Sequence, residues 1–466
     1  MLYSKVLADK VLAADEADTS LFPLAPVKTF PSYNDFPVSG SVLGTKALAI
    51  DTNILYIWLG AGNSFGWYPL QYKTGLPELP WEPFSLLHTL DNPNAYDTSA
   101  SDQFGYSVGF DGDYVIVGAN YEDDAAGLNS GKAYIFNSNT GSLLHTLDNP
   151  NAYGTSADDN FGYAVAISGN YAIVGTPNEQ TGSGKAYIFD VTTGSLVHTL
   201  NNPNQYDVGE VDSFGVSVAI SGNYAVVGAY NESFFDGSTG SGKVYIFDVT
   251  TGTLSATIHN PNAYGTASLD YFGLQLATDG NNIIVGAYNE DTAAATNVGK
   301  VYTFSMAGGT GSVFSNPDPV QNDRYGSAVA IRGNYALVGC SQKNSADGTA
   351  YLYNLSTSQL IYTFTNPNLD GVSASDRFGA QVALSNDYAI VTATSENNNS
   401  GIVYVFKLSD GSLQHTFENP NAYGTNLSDF FGYKLSASTN RFVVSAIQED
   451  DAGGQASGKA YIFSLD

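Results

Sequence analysis

An aromatic residue followed by glycine recurs seven times: Phe104-Gly105, Phe161-Gly162, Phe214-Gly215, Phe272-Gly273, Tyr325-Gly326, Phe378-Gly379 and Phe431-Gly432. The spacings are 57, 53, 58, 53, 53 and 53 residues. A period of this size leaves few folds open, because one such unit cannot bury its apolar face alone and must pack on its neighbours. Asn-Pro keeps the same beat, seven times from Asn92-Pro93. So does a glycine shortly before a tyrosine, ending with Gly458 and Tyr461.

Each unit reads as four short strands, in the second unit "FGYAVAIS", "YAIVGT", "KAYIFDV" and "SLVHTL". In "AVAIS", Val165 and Ile167 fall on one face and Ala164 and Ala166 on the other, the alternation of a buried strand. "SGNY" and "TTGS" read as hairpin turns, with Gly or Asn supplying the unusual φ angles. The first strand is rich in small residues, as an inner strand beside a crowded axis requires. Four strands per unit, repeated seven times, predict an all-β, seven-bladed β-propeller.

The chain stops three-quarters of the way through its own repeat. "GKAYIFSLD", residues 458–466, ends on a third strand, whereas an orphan "SLLHTL", residues 85–90, precedes the first complete unit. The orphan is therefore expected to supply the outer strand of the last blade, closing the ring and hiding its edges. Two domains follow: 1–80, outside the repeat, and 81–466, the propeller.

The units resemble FG-GAP repeats, the propeller repeats also found in integrin α-subunits. "FGYAVAISGNYAIVGT" and its siblings carry the resemblance, with "VGA" in the second strand, over residues 85–466. The calcium-binding members have a D-x-D-x-D-G loop between the first two strands. Here that loop is "SGNY", "DGDY", "DGNN" or "STNR". Calcium is therefore not carried over, and neither metal nor cofactor is expected.

Charge narrows the partners. Lys and Arg number 17 against 45 Asp and Glu, a net charge of −28, which disfavours nucleic acid and anionic membranes. No run reaches the about 20 apolar residues of a membrane helix. The N-terminus, "MLYSKVLADKVLAADEAD", lacks an uninterrupted apolar core, so no signal peptide is expected. The single cysteine, Cys340 in "ALVGCS", reads as core and rules out an intrachain disulfide.

Residues 4–17 read as a short helix or a docking arm. "GTKALAIDTNILYIWLGAGNSFGWYPL" reads as two or three strands carrying Tyr56, Trp58, Trp67 and Tyr68, and "TGLPELPWEP" as a linker stiffened by Pro77, Pro80 and Pro83. These segments are similar to short sequences near the ends of tail-fibre and other virion proteins of tailed phages, marine ones in particular. The resemblance implies a virion protein assembled in the host cytoplasm. Residues 1–80 would attach it to other virion structural proteins, and phage appendages are usually symmetric, so a homo-oligomer is expected. An integrin-like cell-surface adhesion protein and a capsid or neck decoration protein are the alternatives.

The repeat also organises the ionisable residues. An Asp stands two residues before every aromatic-Gly pair: Asp102, Asp159, Asp212, Asp270, Asp323, Asp376 and Asp429. Glu122, Glu179, Glu232, Glu290, Glu396 and Glu449 follow the second strand of six units, and Lys132, Lys185, Lys243, Lys300 and Lys459 open the third strand of five. The expectation is that each Asp accepts backbone N–H bonds at a tight turn, and that Glu pairs with Lys on an exposed loop face. The fifth unit fits pairing, since Lys343 replaces Glu where Thr349 replaces Lys. The histidines His88, His145, His198, His259 and His415 fall one per blade, too far apart for a metal site or a catalytic triad. Acids that follow a repeat argue against an active site, so no catalytic residue is assigned and the chain reads as a non-enzyme. Binding candidates are the residues that break the pattern: Arg324, Lys343 and Arg377, a basic patch suited to acidic sugars, and Phe234 and Phe235 in the loop "YNESFFDGSTGSGK". Through such loops a propeller would bind a host-surface glycan or protein.

Overall fold

The computed structural model describes residues 28–30, 46–49, 54–61, 64–69, 84–94, 101–123, 128–151, 157–204, 211–233, 240–262, 269–293, 295–367, 375–421, 428–450 and 456–466. The chain divides into two units, Met1–Trp81 and Glu82–Asp466. The first holds a four-stranded sheet in the order β1 (Lys28–Phe30), β2 (Lys46–Ala49), β3 (Ile54–Ala61) and β4 (Ser64–Pro69). β1 lies parallel to β2, and the other pairs are antiparallel. Trp58 stands opposite Trp67, Ile57 opposite Tyr68 and Tyr56 opposite Pro69. The aromatic tract thus forms three strands. The stretch 4–17 and the proline-rich segment 74–83 lie outside the described residues.

The second unit is the propeller. Its first strand, β5 (Leu86–Asp91), belongs to no blade of its own. Blade 1 is an antiparallel meander of β6 (Ser107–Asp111), β7 (Tyr114–Ala119), β8 (Lys132–Asn137) and β9 (Leu143–Asp148). Five more blades with the same order follow, running from Ala164 to Glu418. The last blade has only Phe431–Ala437, Arg441–Ala446 and Lys459–Ser464 from the C-terminal end, and β5 pairs with the third of these as its outer strand.

Register shows how faithfully β5 fills that place. In blade 1, Lys132 faces Asp148, Tyr134 faces Thr146, and the register shifts just before Phe136 faces Leu143. In blade 7, Lys459 faces Asp91, Tyr461 faces Thr89, and the same shift precedes Phe463 facing Leu86. Even the cross-strand ion pair is kept, Lys459 to Asp91 at 2.9 Å and Lys132 to Asp148 at 3.8 Å. The fold is the seven-bladed propeller expected, closed by the expected strand.

The blades bury themselves against one another rather than within themselves. Each of the seven hydrophobic clusters draws on two adjacent blades. The cluster at the closure joins Leu90, Val443, Ala460 and Ile462 of blade 7 to Phe104, Val117, Tyr134 and Phe136 of blade 1. The alternation in "AVAIS" does this work locally. Val165 and Ile167 enter the core shared with blade 1, while Ala164 and Ala166 pack on the core shared with blade 3.

The aromatic-Gly pairs mark the seams. All seven aromatic rings are fully buried. Their backbone N–H groups reach back to the preceding blade: Phe161 to the Ser130 carbonyl, Phe431 to that of Ser400 and, across the closure, Phe104 to that of Ser457. The glycine that follows these carbonyls is forced by proximity. Gly131 has φ +79°, and a Cβ there would meet the Phe161 carbonyl oxygen at 2.0 Å; at the closure, Gly458 (φ +80°) meets Phe104 at 2.1 Å.

Candidate functional site

The inner strands run from the aromatic-Gly pairs at one end of the central channel to the β-turns at the other. The loops around the aromatic-Gly end form two rings of polar latches. In the first, the Asp carboxylate is gripped by side-chain amides of the preceding Asn-Pro-Asn: Asp102 by Asn92 and Asn94 at 2.9 and 2.7 Å, Asp159 by Asn149 and Asn151 at 3.0 and 2.8 Å, Asp270 by Asn260 and Asn262 at 2.9 and 3.0 Å. Among the described residues the donors are mainly asparagine side chains, partners that the expectation of turn amides did not include; in blade 5 the Val320 N–H also donates to Asp323 at 2.8 Å. Burial pushes Asp102 and Asp270 up to about 6, against the lowering effect of those same amides. The Asn-Pro repeat was visible in the sequence; the ten-residue span between Asn92 and Asp102 hid the pairing.

In the second ring, Glu is held by Lys and also by a tyrosine two residues past that lysine. Glu179 accepts from Lys185 Nζ and Tyr187 Oη, both at 2.6 Å. Glu232 accepts from Lys243 at 2.5 Å and from Tyr245 at 2.7 Å. The Glu–Lys pairing is as expected, but not its setting. Glu122, Glu179, Glu232 and Glu449 are fully buried, so these are interior pairs, in which losing one partner strands a charge at a cost of about 3–5 kcal/mol. Burial lifts Glu122 and Glu449 to about 7, although Tyr134 and Lys132, or Tyr461 and Lys459, pull them down. In blade 6, with Ile402 in place of the lysine, Tyr404 holds Glu396 at 2.7 Å.

Blade 5 rebuilds the latch with reversed charge. Lys343, 4% exposed, lies 3.0 Å from the Asp323 carboxylate and also bonds the Asp318 carbonyl. The basic patch expected around Arg324, Lys343 and Arg377 therefore loses its middle member to the interior. Arg332 ends the inner strand at the opposite mouth, donating to Asn386 at 3.0 Å. Arg324 and Arg377 are exposed on the latch face, each just before its aromatic-Gly pair with φ of 55° and 58°. Phe234 and Phe235 lie outside the described residues. Cys340 is fully buried, as expected, with its Sγ 3.2 Å from the Asp323 carbonyl oxygen, and burial raises its thiol pKa. The histidines sit in separate outer strands, and no metal-binding group of His, Cys, Asp and Glu occurs among the described residues.

What the sequence reading missed is the channel mouth. The residue after each aromatic-Gly pair heads the inner strand, and in blades 7, 1 and 2 it is tyrosine. Tyr106 lies between Tyr163 and Tyr433, with ring centroids 5.0 and 5.6 Å away. Tyr121 adds a fourth ring, 6.4 Å from Tyr106, and is 39% exposed. Further round, Tyr271 stacks edge-on with Tyr230 and Tyr288 at 5.2 and 5.8 Å. The clue was available: "FGY" occurs in only three of the seven units.

The profile of the FG-GAP repeat matches residues 94–136, 151–189, 205–247, 262–304, 313–353, 370–406 and 422–463, more than half of the chain. The chain belongs to the FG-GAP repeat family. The matched segments end in or at the third strand of each blade and take in the Asp, Glu and Lys positions of the latches, but not most of the asparagines that hold the Asp; the segment 313–353 begins within the preceding outer strand. A search of curated proteins found no significant match. An FG-GAP propeller points to a role in binding a protein or another ligand.

Proposed function

We propose that this FG-GAP protein is a structural component of a tailed-phage virion, in a tail fibre or another surface appendage. Its propeller recognises a glycan or protein of the host surface without covalent chemistry. One observation carries the recognition role. The latch face is rigidly repeated in its buried acids yet unrepeated in its accessible side chains, with the exposed Arg324 and Arg377 and the half-buried tyrosines of blades 1, 2 and 7 breaking the pattern. The buried acids support a non-enzymatic reading, because each is tied to Asn, Tyr or Lys partners that keep it from acting as a free acid or base. The virion assignment rests on the likeness of residues 1–80 to phage appendage proteins, and its sheet is the proposed attachment and oligomerisation module.

Immunogold labelling of particles from the source, with antibody raised against the full chain, tests this reading. Gold at tail or fibre tips is expected. Label on cell surfaces with bare particles would overturn the virion assignment in favour of an adhesion protein, and gold over capsid or neck would replace host recognition with decoration.

A further inference from the structure

The channel wall one residue below the tyrosine mouth also varies from blade to blade. Reading from blade 1 to blade 7, the position holds Ser107, Ala164, Ser217, Gln275, Ala328, Gln381 and Lys434. All but the buried Ala328 line a central cavity of about 780 Å³, a size that suits a small ligand. The two serines are spent on structure: Ser107 donates to the Gly162 carbonyl at 2.7 Å and Ser217 to that of Gly273 at 2.5 Å. The side-chain amides of Gln275 and Gln381 make no hydrogen bond among the described residues.

Lys434 stands out further. The other channel cation, Arg332, has Asn386, and the buried lysines of the latches have carboxylates. The Lys434 ammonium has neither an ion pair nor a hydrogen bond among the described residues; its one contact is with the face of the Tyr433 ring, 6.0 Å from the centroid. It lines the channel, and burial lowers its pKa with no opposing charge to restore it. A partly buried lysine with no counter-charge is costly to fold. In a chain with 45 acids against 17 cations, a carboxylate to satisfy it would be easy to place, and none of the described residues supplies one.

We propose that the central channel binds a carboxylate-bearing sugar of the uronic acid class. Its carboxylate would sit on Lys434 Nζ, its hydroxyls on the free amides of Gln381 and Gln275, and its C–H faces against Tyr106, Tyr163 and Tyr433. Each component matches one part of such a ligand: an ammonium for the carboxylate, amides that both donate and accept for hydroxyls, and phenol rings for apolar sugar faces. The chain's net negative charge opposes any anion at long range, but this field is screened beyond about 8 Å in physiological salt. This inference deepens the recognition role and rests on it for its biological meaning, though not for the binding itself.

Calorimetric titration of the full chain with galacturonate, galactose, acetate and inorganic phosphate tests it. Galacturonate is expected to bind and galactose at least about tenfold more weakly. Lys434→Met should lose at least about tenfold in galacturonate affinity while its thermal midpoint stays the same or rises, since an unpaired charge is removed. Gln381→Ala should weaken both sugars. No galacturonate binding at up to about 10 mM, equal binding of the two sugars, or unchanged binding by Lys434→Met would each overturn the proposal. Acetate or phosphate binding as tightly as galacturonate would leave an anion hole without sugar recognition and overturn it too. These results are independent of the immunogold labelling, so failure of the virion reading and failure of the channel site are separable.

Discussion

Only three residues separate Asp102, in the latch ring, from Tyr106, at the channel mouth, yet the two positions obey different rules around the propeller. The latch position is Asp in all seven blades, and in each blade the carboxylate is buried. The mouth position is Tyr106, Tyr163, Val216, Leu274, Ser327, Ala380 and Tyr433. The difference follows from what each side chain must satisfy. A buried carboxylate needs fixed donors, so the Asn-Pro-Asn turn, the Asp and the seam after it must stay together. A residue at the mouth has no buried charge to satisfy and packs chiefly on its neighbours around the ring, so each blade is free to differ. In a repeat protein, uniformity marks the joints, and departures mark the surfaces available for recognition.

The comparison can be broken most severely at the closure. Leu90, 1% exposed in the core between the last blade and the first, is the residue through which an N-terminal strand seals the ring. Leu90→Asp should cost about 4 kcal/mol in urea unfolding, whereas Leu144→Asp on an exposed outer-strand position should cost under about 1 kcal/mol. Similar losses for both would mean that the closing strand is no more than an ornament on a stable open arc.

A sharper test lies in blade 5. Lys343→Glu installs the residue that the other six blades carry, yet it should destabilise by about 3 kcal/mol, because a second carboxylate would then face Asp323 in the interior. Adding Thr349→Lys restores the common pairing and should recover part of the loss in a double-mutant cycle. A neutral single variant would show that the reversed latch is drift rather than compensation.

The latch ring also predicts a pH response. Asp102 and Asp270 sit at about 6, and Glu122 and Glu449 at about 7, all above their ordinary values because of burial. The folded state therefore holds these protons more tightly than the unfolded chain does. The resulting stability is complete below about pH 4 and is lost as pH rises through 6 and 7. Calorimetry should find a higher midpoint at pH 5 than at pH 8, with Glu122→Gln flattening the upper part of the slope. A midpoint that rises with pH would mean that the amide, tyrosine and lysine donors outweigh burial. The smallest effect belongs to the exposed face: Arg324→Ala and Arg377→Ala should shift stability by less than about 0.5 kcal/mol while reducing capture of host cells in a binding assay.

Much of this molecule was legible in the chain because repetition multiplies weak signals. One "AVAIS" is ambiguous; seven such strands at one period are not, and the truncated final unit by itself identifies the closing strand. The latches were half-legible. Glu122 and Lys132 can be matched by their parallel recurrence, whereas the Tyr134 hydroxyl and the Asn92–Asp102 bond depend on how the loops fold back. Lys343 shows the limit most plainly: its charge alone placed it in a surface patch with Arg324 and Arg377, but the backbone carries it inward to Asp323.

The sequence by itself determined the blade count, the four-stranded unit, the closing strand and the uniform joints, because each is a periodic property and period survives projection onto one dimension. Only the tertiary structure decided which polar groups satisfy one another and which are left over. Residues 106, 163 and 433, or 275, 381 and 434, are distant in the chain and share no local pattern. They share the channel only because seven blades bring their inner strands to one axis, and there a lysine without a partner differs from one that has found its carboxylate.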